Sequence, residues 1–144
     1  MLASGSAGTH AGLLAGLHAA GLDIPVMGIS VRQPREQQIA AVHKLAAATA
    51  AQLTDTPLSL EKTLIDDGYV GAGYGLPTEG TIAAINLIAR KEGVLLDPVY
   101  SAKGLAGMIG LTEQKFFDRQ KDVVFLHTGG AAALFEYGDQ LASG

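Results

Sequence analysis

The sequence predicts an α/β fold built on a mostly parallel sheet, and three observations carry that prediction. Short apolar runs of strand length alternate with stretches whose apolar residues recur at three- and four-residue steps. The strand-like pieces empty into glycine-rich turns that open helices, and the elements follow in the order β-α-β-α-loop-α-α-β-α. With 144 residues, 48% of them hydrophobic and 17% charged, the chain suits one domain around one core.

Met1-Leu2-Ala3 is expected to end a strand, because turn chemistry follows at once in residues 4–12. Three residues fall short of an ordinary core strand of about five or six, so the chain is expected to begin inside an element, as a truncated piece would. A small-residue helix over residues 11–20 stops at Gly21. Residues 24–31 read as a buried parallel strand that tolerates Pro25 at its entry. From Gln33 to about Leu53 a helix starts near Pro34 and turns Ile39, Val42, Ala46, Ala50 and Leu53 to one face.

Residues 55–75 carry Pro57, Asp66-Asp67-Gly68 and Gly71-Ala72-Gly73-Tyr74-Gly75, which is turn chemistry around one short strand near Leu64. Loops of this length are often functional. Thr78 and Glu79 open a second amphipathic helix over Ile82, Ile85, Leu87 and Ile88, ended by Arg90, Lys91 and Gly93. Residues 95–100 form a short extended piece, and Ser101 caps a small-residue helix running through Lys103 to Ile109. Residues 123–127 are expected to be a strand, followed by Thr128-Gly129-Gly130 and a closing helix from Ala131 to about Glu136.

Composition removes several function classes. Ten Lys+Arg against fourteen Asp+Glu leave a net charge of −4, and no basic run gathers to attract a polyanion, so nucleic acid is not an expected partner. Cysteine is absent, which excludes disulfides, thiolate metal sites and a cysteine nucleophile. His10, His18, His43 and His127 lack metal-ligand spacing, and no metal site is expected. No apolar run approaches the ~20 residues of a membrane span, and the first residues lack a basic region or a continuous apolar stretch. The chain reads as soluble, unexported and cytoplasmic.

Chemistry concentrates in two turns. Ser4-Gly5-Ser6-Ala7-Gly8-Thr9-His10-Ala11-Gly12 joins a strand end to a helix start, where exposed N–H groups and the positive helix end favour an anion, with Ser6 and Thr9 as hydroxyl donors. The loop is neither a Walker A sequence nor a G-x-G-x-x-G fingerprint; its plain alternative is a small-residue turn with a hydroxyl cap. His127-Thr128-Gly129-Gly130-Ala131 repeats the pattern at the last strand. Ligands of open parallel sheets bind beyond the carboxyl ends of the strands, so both turns are expected to line one pocket, a second helix cap being the alternative.

Tyr74 and Tyr100 are flanked by small residues and turns. Either could donate or relay a proton if a cation or hydrogen bond lowered its ordinary pKa of ~10, or could simply pack at the surface. Asp66-Asp67-Gly68 is expected to be a solvated turn. Lys103, in a small-residue helix near Tyr100, is the one lysine to single out; a solvated helix position is its plain alternative.

These residues together resemble the D-cysteine desulfhydrase and 1-aminocyclopropane-1-carboxylate deaminase family of pyridoxal-phosphate enzymes. The matching stretches, in order, are the loop Ser4 to Gly12, then Gly73-Tyr74-Gly75-Leu76-Pro77-Thr78-Glu79-Gly80, Leu96-Asp97-Pro98-Val99-Tyr100-Ser101-Ala102-Lys103, and His127-Thr128-Gly129-Gly130. The resemblance spans nearly the whole chain. It implies a partial tryptophan-synthase-β-like fold (fold type II), a three-layer α/β sandwich with a mostly parallel sheet. Residues 1–144 would be the C-terminal part of the catalytic domain, without the N-terminal part that carries the Schiff-base lysine and a serine beside the substrate.

Carried over by position, Gly5, Ser6, Ala7, Gly8 and Thr9 would bind the phosphate of pyridoxal 5′-phosphate. Ser101 and Thr128 would face its pyridine nitrogen, and Tyr74 and Tyr100 would contact a small amino-acid substrate. The deaminase branch is expected to carry a carboxylate and a leucine where this chain has Ser101 and Thr128, so the resemblance implies the desulfhydrase branch: β-elimination of D-cysteine to pyruvate, sulfide and ammonia. A neutral hydroxyl does not hold the ring nitrogen protonated as a carboxylate does, and a good thiolate leaving group tolerates the weaker electron sink. The family also implies a homodimer for the full-length enzyme. The isolated chain is expected to be inactive. A deaminase and a non-catalytic phosphate-binding fragment are the competing readings.

Overall fold

The computed structural model describes residues 1–117 and 122–142. Three short parallel strands form its sheet in the order β1 (Leu2–Ser4), β2 (Met27–Ser30), β3 (Leu64–Asp66). Leu2 pairs with Gly28 and Ser4 with Ser30, while Met27 pairs with Leu64 and Ile29 with Asp66. The carboxyl ends of all three strands therefore lie on one edge.

Side chains alternate across the strands, so each strand feeds two cores. On one face α1 (Gly8–Ala19) and α2 (Arg35–Ala50) pack against each other and the sheet, burying Leu2, Leu14, Val42, Ala46 and Ile65. On the other face α4 (Ser101–Glu113) lies on β1 and β2, with α3 (Glu79–Glu92) against it, around Ile85, Leu96 and Leu105. The result is the expected α/β sandwich. Gly107 lets α4 approach the sheet, since a Cβ there would stand 2.6 Å from Ile29 Cδ1. Among the described residues no helix is long and apolar enough to cross a membrane.

Several boundaries follow the local chemistry closely. Thr78 caps α3, its Oγ1 accepting the Thr81 N–H at 3.1 Å, and Gly93 ends the helix with φ +67°. A strand forms near Leu64 as expected, preceded by a 3-10 turn at Leu60–Lys62. Helix α1 begins three residues earlier than the sequence pattern indicates. Leu53 and Leu87 are exposed, 58% and 47%, rather than part of the apolar faces of their helices. Leu53 lies beyond the end of α2, while buried Ala84 and Thr81 fill the face of α3 nearest α4.

The last segments need correction. Residues 123–127 are extended but do not make a strand: a single parallel bridge joins Leu126 to Leu2, supported by Met1 N to the Val124 carbonyl at 2.6 Å and Leu126 N to the Met1 carbonyl at 2.8 Å. On this side of β1 only Leu2 is bridged, whereas all three β1 residues pair with β2 on the other. The expected closing helix is a 3-10 turn at Ala131–Phe135, and a separate short helix, α5, follows at Gly138–Ala142.

Candidate active site

Strand β1 delivers Ser4 and Gly5 to the carboxyl edge of the sheet, and α1 starts three residues later. Ala7, at the turn between them, has φ +70°, a conformation that costs a non-glycine residue about 1–2 kcal/mol. Ala11 N–H to the Ala7 carbonyl, 2.8 Å, closes the first turn of the helix, and Ala7 has no side-chain acceptor to cap it. The first N–H groups of α1 therefore project from the helix end without a capping side chain.

They project into a cavity of about 330 Å³. Gly5, Ser6, Ala7, Gly8 and Thr9 form one wall, and Tyr100, Thr128, Gly129 and Gly130 another. The two glycine turns, 120 residues apart in the chain, thus line one pocket. Among the described residues no carboxylate lines it. Helix N–H groups together with the Ser6 and Thr9 hydroxyls, which can turn to donate, make a set suited to a phosphate monoester. A second cavity, about 370 Å³, opens at the amino ends of β2 and β3 among Leu14, Leu17, Leu22 and Leu58. It lacks such convergent donors, and its rim holds the exposed Lys62–Asp23 ion pair at 2.5 Å.

Beneath the loop runs a buried polar chain that the sequence reading missed. Gln38 Nε2 donates to the Gly5 carbonyl at 3.2 Å and to Ser4 Oγ at 3.0 Å; Ser4 Oγ donates in turn to His10 Nδ1 at 3.2 Å. His10 Nε2–H donates to the Val26 carbonyl at 3.3 Å, which fixes the tautomer. Burial pushes the His10 imidazole down to about 4, against a smaller upward pull from the Val26 carbonyl, so it is neutral near pH 7. Gly28 makes room for it: a Cβ there would stand 2.5 Å from His10 Nδ1. A glycine inside a strand was the available signal.

Tyr100 enters the cavity from just before α4, and its ring rests on Gly5. Its hydroxyl contacts that of Tyr74, the rings meeting edge to face with centroids 5.7 Å apart. Arg32, just past the end of β2, places its guanidinium 5.9 Å from the Tyr74 ring. The hydrogen bond to Tyr74, followed by burial, raises the Tyr100 pKa above its ordinary value, and Arg32 opposes this only weakly. Tyr100 is therefore a proton-holding phenol, and the lowered pKa that a proton relay would need is not found at this residue.

Asp97 organises the start of α4. Its Oδ2 accepts the N–H groups of Val99 at 2.9 Å and Tyr100 at 2.7 Å, and Oδ1 accepts the Ser101 N–H at 2.9 Å and hydroxyl at 2.5 Å. Asp97, not Ser101, is the capping side chain. Ser101 is buried and engaged with Asp97 and is not among the residues that line the cavity, whereas Thr128 lines it. Gly130 packs on Asp97: with φ +100°, a Cβ there would stand 2.5 Å from Oδ1. Lys103 is wholly buried rather than solvated, and its Nζ donates to the carbonyls of Val70 at 2.6 Å and Gly73 at 2.8 Å.

Residues 1–129, from β1 through the second glycine turn, match the pyridoxal-phosphate dependent enzyme family. The chain belongs to that family. Among its relatives, the D-cysteine desulfhydrase of Yersinia pestis (strain Pestoides F) is 45% identical over 144 residues, covering 98% of this chain and 42% of that protein. The D-cysteine desulfhydrase of Salmonella paratyphi C (strain RKS4594) is 44% identical over 137 residues, covering 95% and 41%. A crystal structure of an ACC deaminase homologue superposes with a TM-score of 0.86 at 33% identity, over 99% of this chain and 42% of that one. The chain spans about two fifths of the length of these family members.

Proposed function

We propose that this chain supplies the phosphate-binding side of a D-cysteine desulfhydrase site, in which D-cysteine and water yield pyruvate, sulfide and ammonia. The observation that carries the reading is the single cavity joining Gly5, Ser6, Ala7, Gly8 and Thr9 to Tyr100 and Thr128. Relatives named D-cysteine desulfhydrase at 44–45% identity support the substrate. Pyridoxal 5′-phosphate, when bound, supplies the electron sink that makes the α-proton of an amino acid removable.

The residues of this chain divide the remaining work. The loop N–H groups and the Ser6 and Thr9 hydroxyls bind the phosphate and fix the ring's position. Thr128 would offer the pyridine nitrogen a neutral hydroxyl, and Ser101, whose own hydroxyl is engaged by Asp97, would stand between that carboxylate and the ring. Tyr100 keeps its proton at Oη, and the contact with Tyr74 holds the two hydroxyls together as a neutral hydrogen-bonding pair at the cavity. The lysine that anchors the cofactor and the serine beside the substrate belong, in this reading, to the part of the full-length homodimeric, cytoplasmic enzyme outside these 144 residues.

Calorimetric titration with pyridoxamine 5′-phosphate and with pyridoxamine tests the reading. The phosphorylated compound should bind about a hundredfold more tightly, and pyridoxal 5′-phosphate should give no visible band of a covalent lysine adduct. Equal affinities for the two compounds would refute the phosphate site. The structural likeness to an ACC deaminase homologue supports a second reading, deamination of 1-aminocyclopropane-1-carboxylate. Ser101→Glu with Thr128→Leu in a full-length parent should move activity toward that reaction, and an unchanged preference would count against the pocket assignment.

A further inference from the structure

Lys103 is fully buried, yet no carboxylate pairs with it; the Lys62–Asp23 contact is the only ion pair among the described residues. An ammonium in such surroundings persists only if its hydrogen bonds are met. Two of its three donors reach the carbonyls of Val70 and Gly73, 33 and 30 residues earlier in the chain. Burial lowers its pKa, consistent with a site that water does not reach.

The two partners of this cation frame the tyrosine pair. Gly73 is followed directly by Tyr74, and Tyr100 lies one helical turn before Lys103, where the Gly104 N–H closes on the Tyr100 carbonyl at 3.0 Å. The loop that carries Tyr74 has few bonds of its own: Val70 N to the Asp67 carbonyl at 3.2 Å, Leu76 N to the Gly73 carbonyl at 3.3 Å, and the Tyr137 hydroxyl to the Gly75 carbonyl at 2.8 Å. None of these ties it to α4; Tyr69 does, its ring against Gly110 and its hydroxyl bonded to Gln114, but at the far end of that helix from Tyr100.

We propose that Lys103 is a positioning residue, whose ammonium clamps the Tyr74 loop to the Tyr100 turn of α4 and so sets the contact between the two phenols. Its importance for catalysis rests on the reading of Tyr74 and Tyr100 given above; its effect on their geometry does not. A methionine, one atom shorter and without donors, would fill most of the same space, so that Lys103→Met removes the hydrogen bonds with little change in volume.

The test compares the wild-type chain with Lys103→Met by NMR, using selectively labelled tyrosine, alongside calorimetry with pyridoxamine 5′-phosphate. The expected result is loss of the ring-to-ring NOE between Tyr74 and Tyr100 in Lys103→Met, while affinity for the phosphate ester stays within about twofold, because Lys103, Val70 and Gly73 do not line the cavity and the ring released is that of Tyr74, with Tyr100 still seated on Gly5. A variant that binds the ester and keeps the NOE at wild-type intensity overturns the proposal. Should the variant not fold, the wild-type chain decides: NOEs from the Lys103 ε-protons to the Gly73 α-protons support the clamp, and their absence overturns it. Failure of the wild-type chain to bind pyridoxamine 5′-phosphate would instead strike the proposed function, leaving the NOE result to judge Lys103 separately.

Discussion

Gly5 and the ring of Tyr100 are in contact across the mouth of the cavity: a Cβ on Gly5 would lie 3.0 Å from Tyr100 Cε1 and 3.1 Å from Val31 Cγ2. The first residue of the phosphate loop thus also fixes where the phenol stands. Gly5→Ala should push the Tyr100 ring aside and weaken pyridoxamine 5′-phosphate binding by about tenfold, or ~1.4 kcal/mol, with little change in melting temperature. Unaltered affinity in calorimetry would show that the ring has room to yield.

Gly130→Ala should be far more damaging to the fold. The new methyl group meets a carboxylate that four hydrogen bonds hold in place, and φ +100° suits glycine alone. A loss of about 3 kcal/mol is expected, read from urea denaturation. A loss below about 1 kcal/mol would mean that Asp97 is not rigidly placed.

His10 makes stability fall in acid. Its folded pKa of about 4 lies below the unfolded 6.5, so the unfolded chain takes up the proton first as pH drops. Its contribution is whole above pH 6.5 and is lost between 6.5 and 4, roughly 3 kcal/mol in all. NMR of the imidazole should find it neutral at pH 5.5. Protonation near 6.5 would exclude the buried Ser4–His10–Val26 chain.

Tyr74→Phe removes the hydrogen bond that contributes most to the raised Tyr100 pKa. The Tyr100 midpoint should move down toward the ordinary tyrosine value, followed through its ζ-carbon resonance in a pH titration. An unmoved midpoint would assign the shift to burial instead.

The glycine turns, the helices and the parallel order were legible because each has a local cause: Thr78 and Gly93 bound α3, and Gly5 to Thr9 open α1. The segment at 123–127 was misread because strand formation depends on a partner ladder as well as on apolar residues, and here only Leu126 is bridged, to Leu2. The roles of Asp97 and Gln38, and the burial and partners of Lys103, which the sequence singled out without them, were hidden for a different reason. Each acts through partners 30 or more residues away or through the turn it caps, and side-chain reach of that kind leaves no periodic trace. Gly28 did leave one, a strand glycine, but only the structure shows that the space it vacates belongs to His10.

Amide chemical-shift mapping of the chain with pyridoxamine 5′-phosphate probes the shared pocket most directly. Resonances of Gly5, Ser6, Gly8 and Thr9 should move together with those of Thr128, Gly129 and Gly130, with one common affinity. Shifts confined to a single turn, or gathered around Leu14, Leu22 and Leu58 at the other end of the sheet, would show that the two glycine turns do not hold one phosphorylated ring.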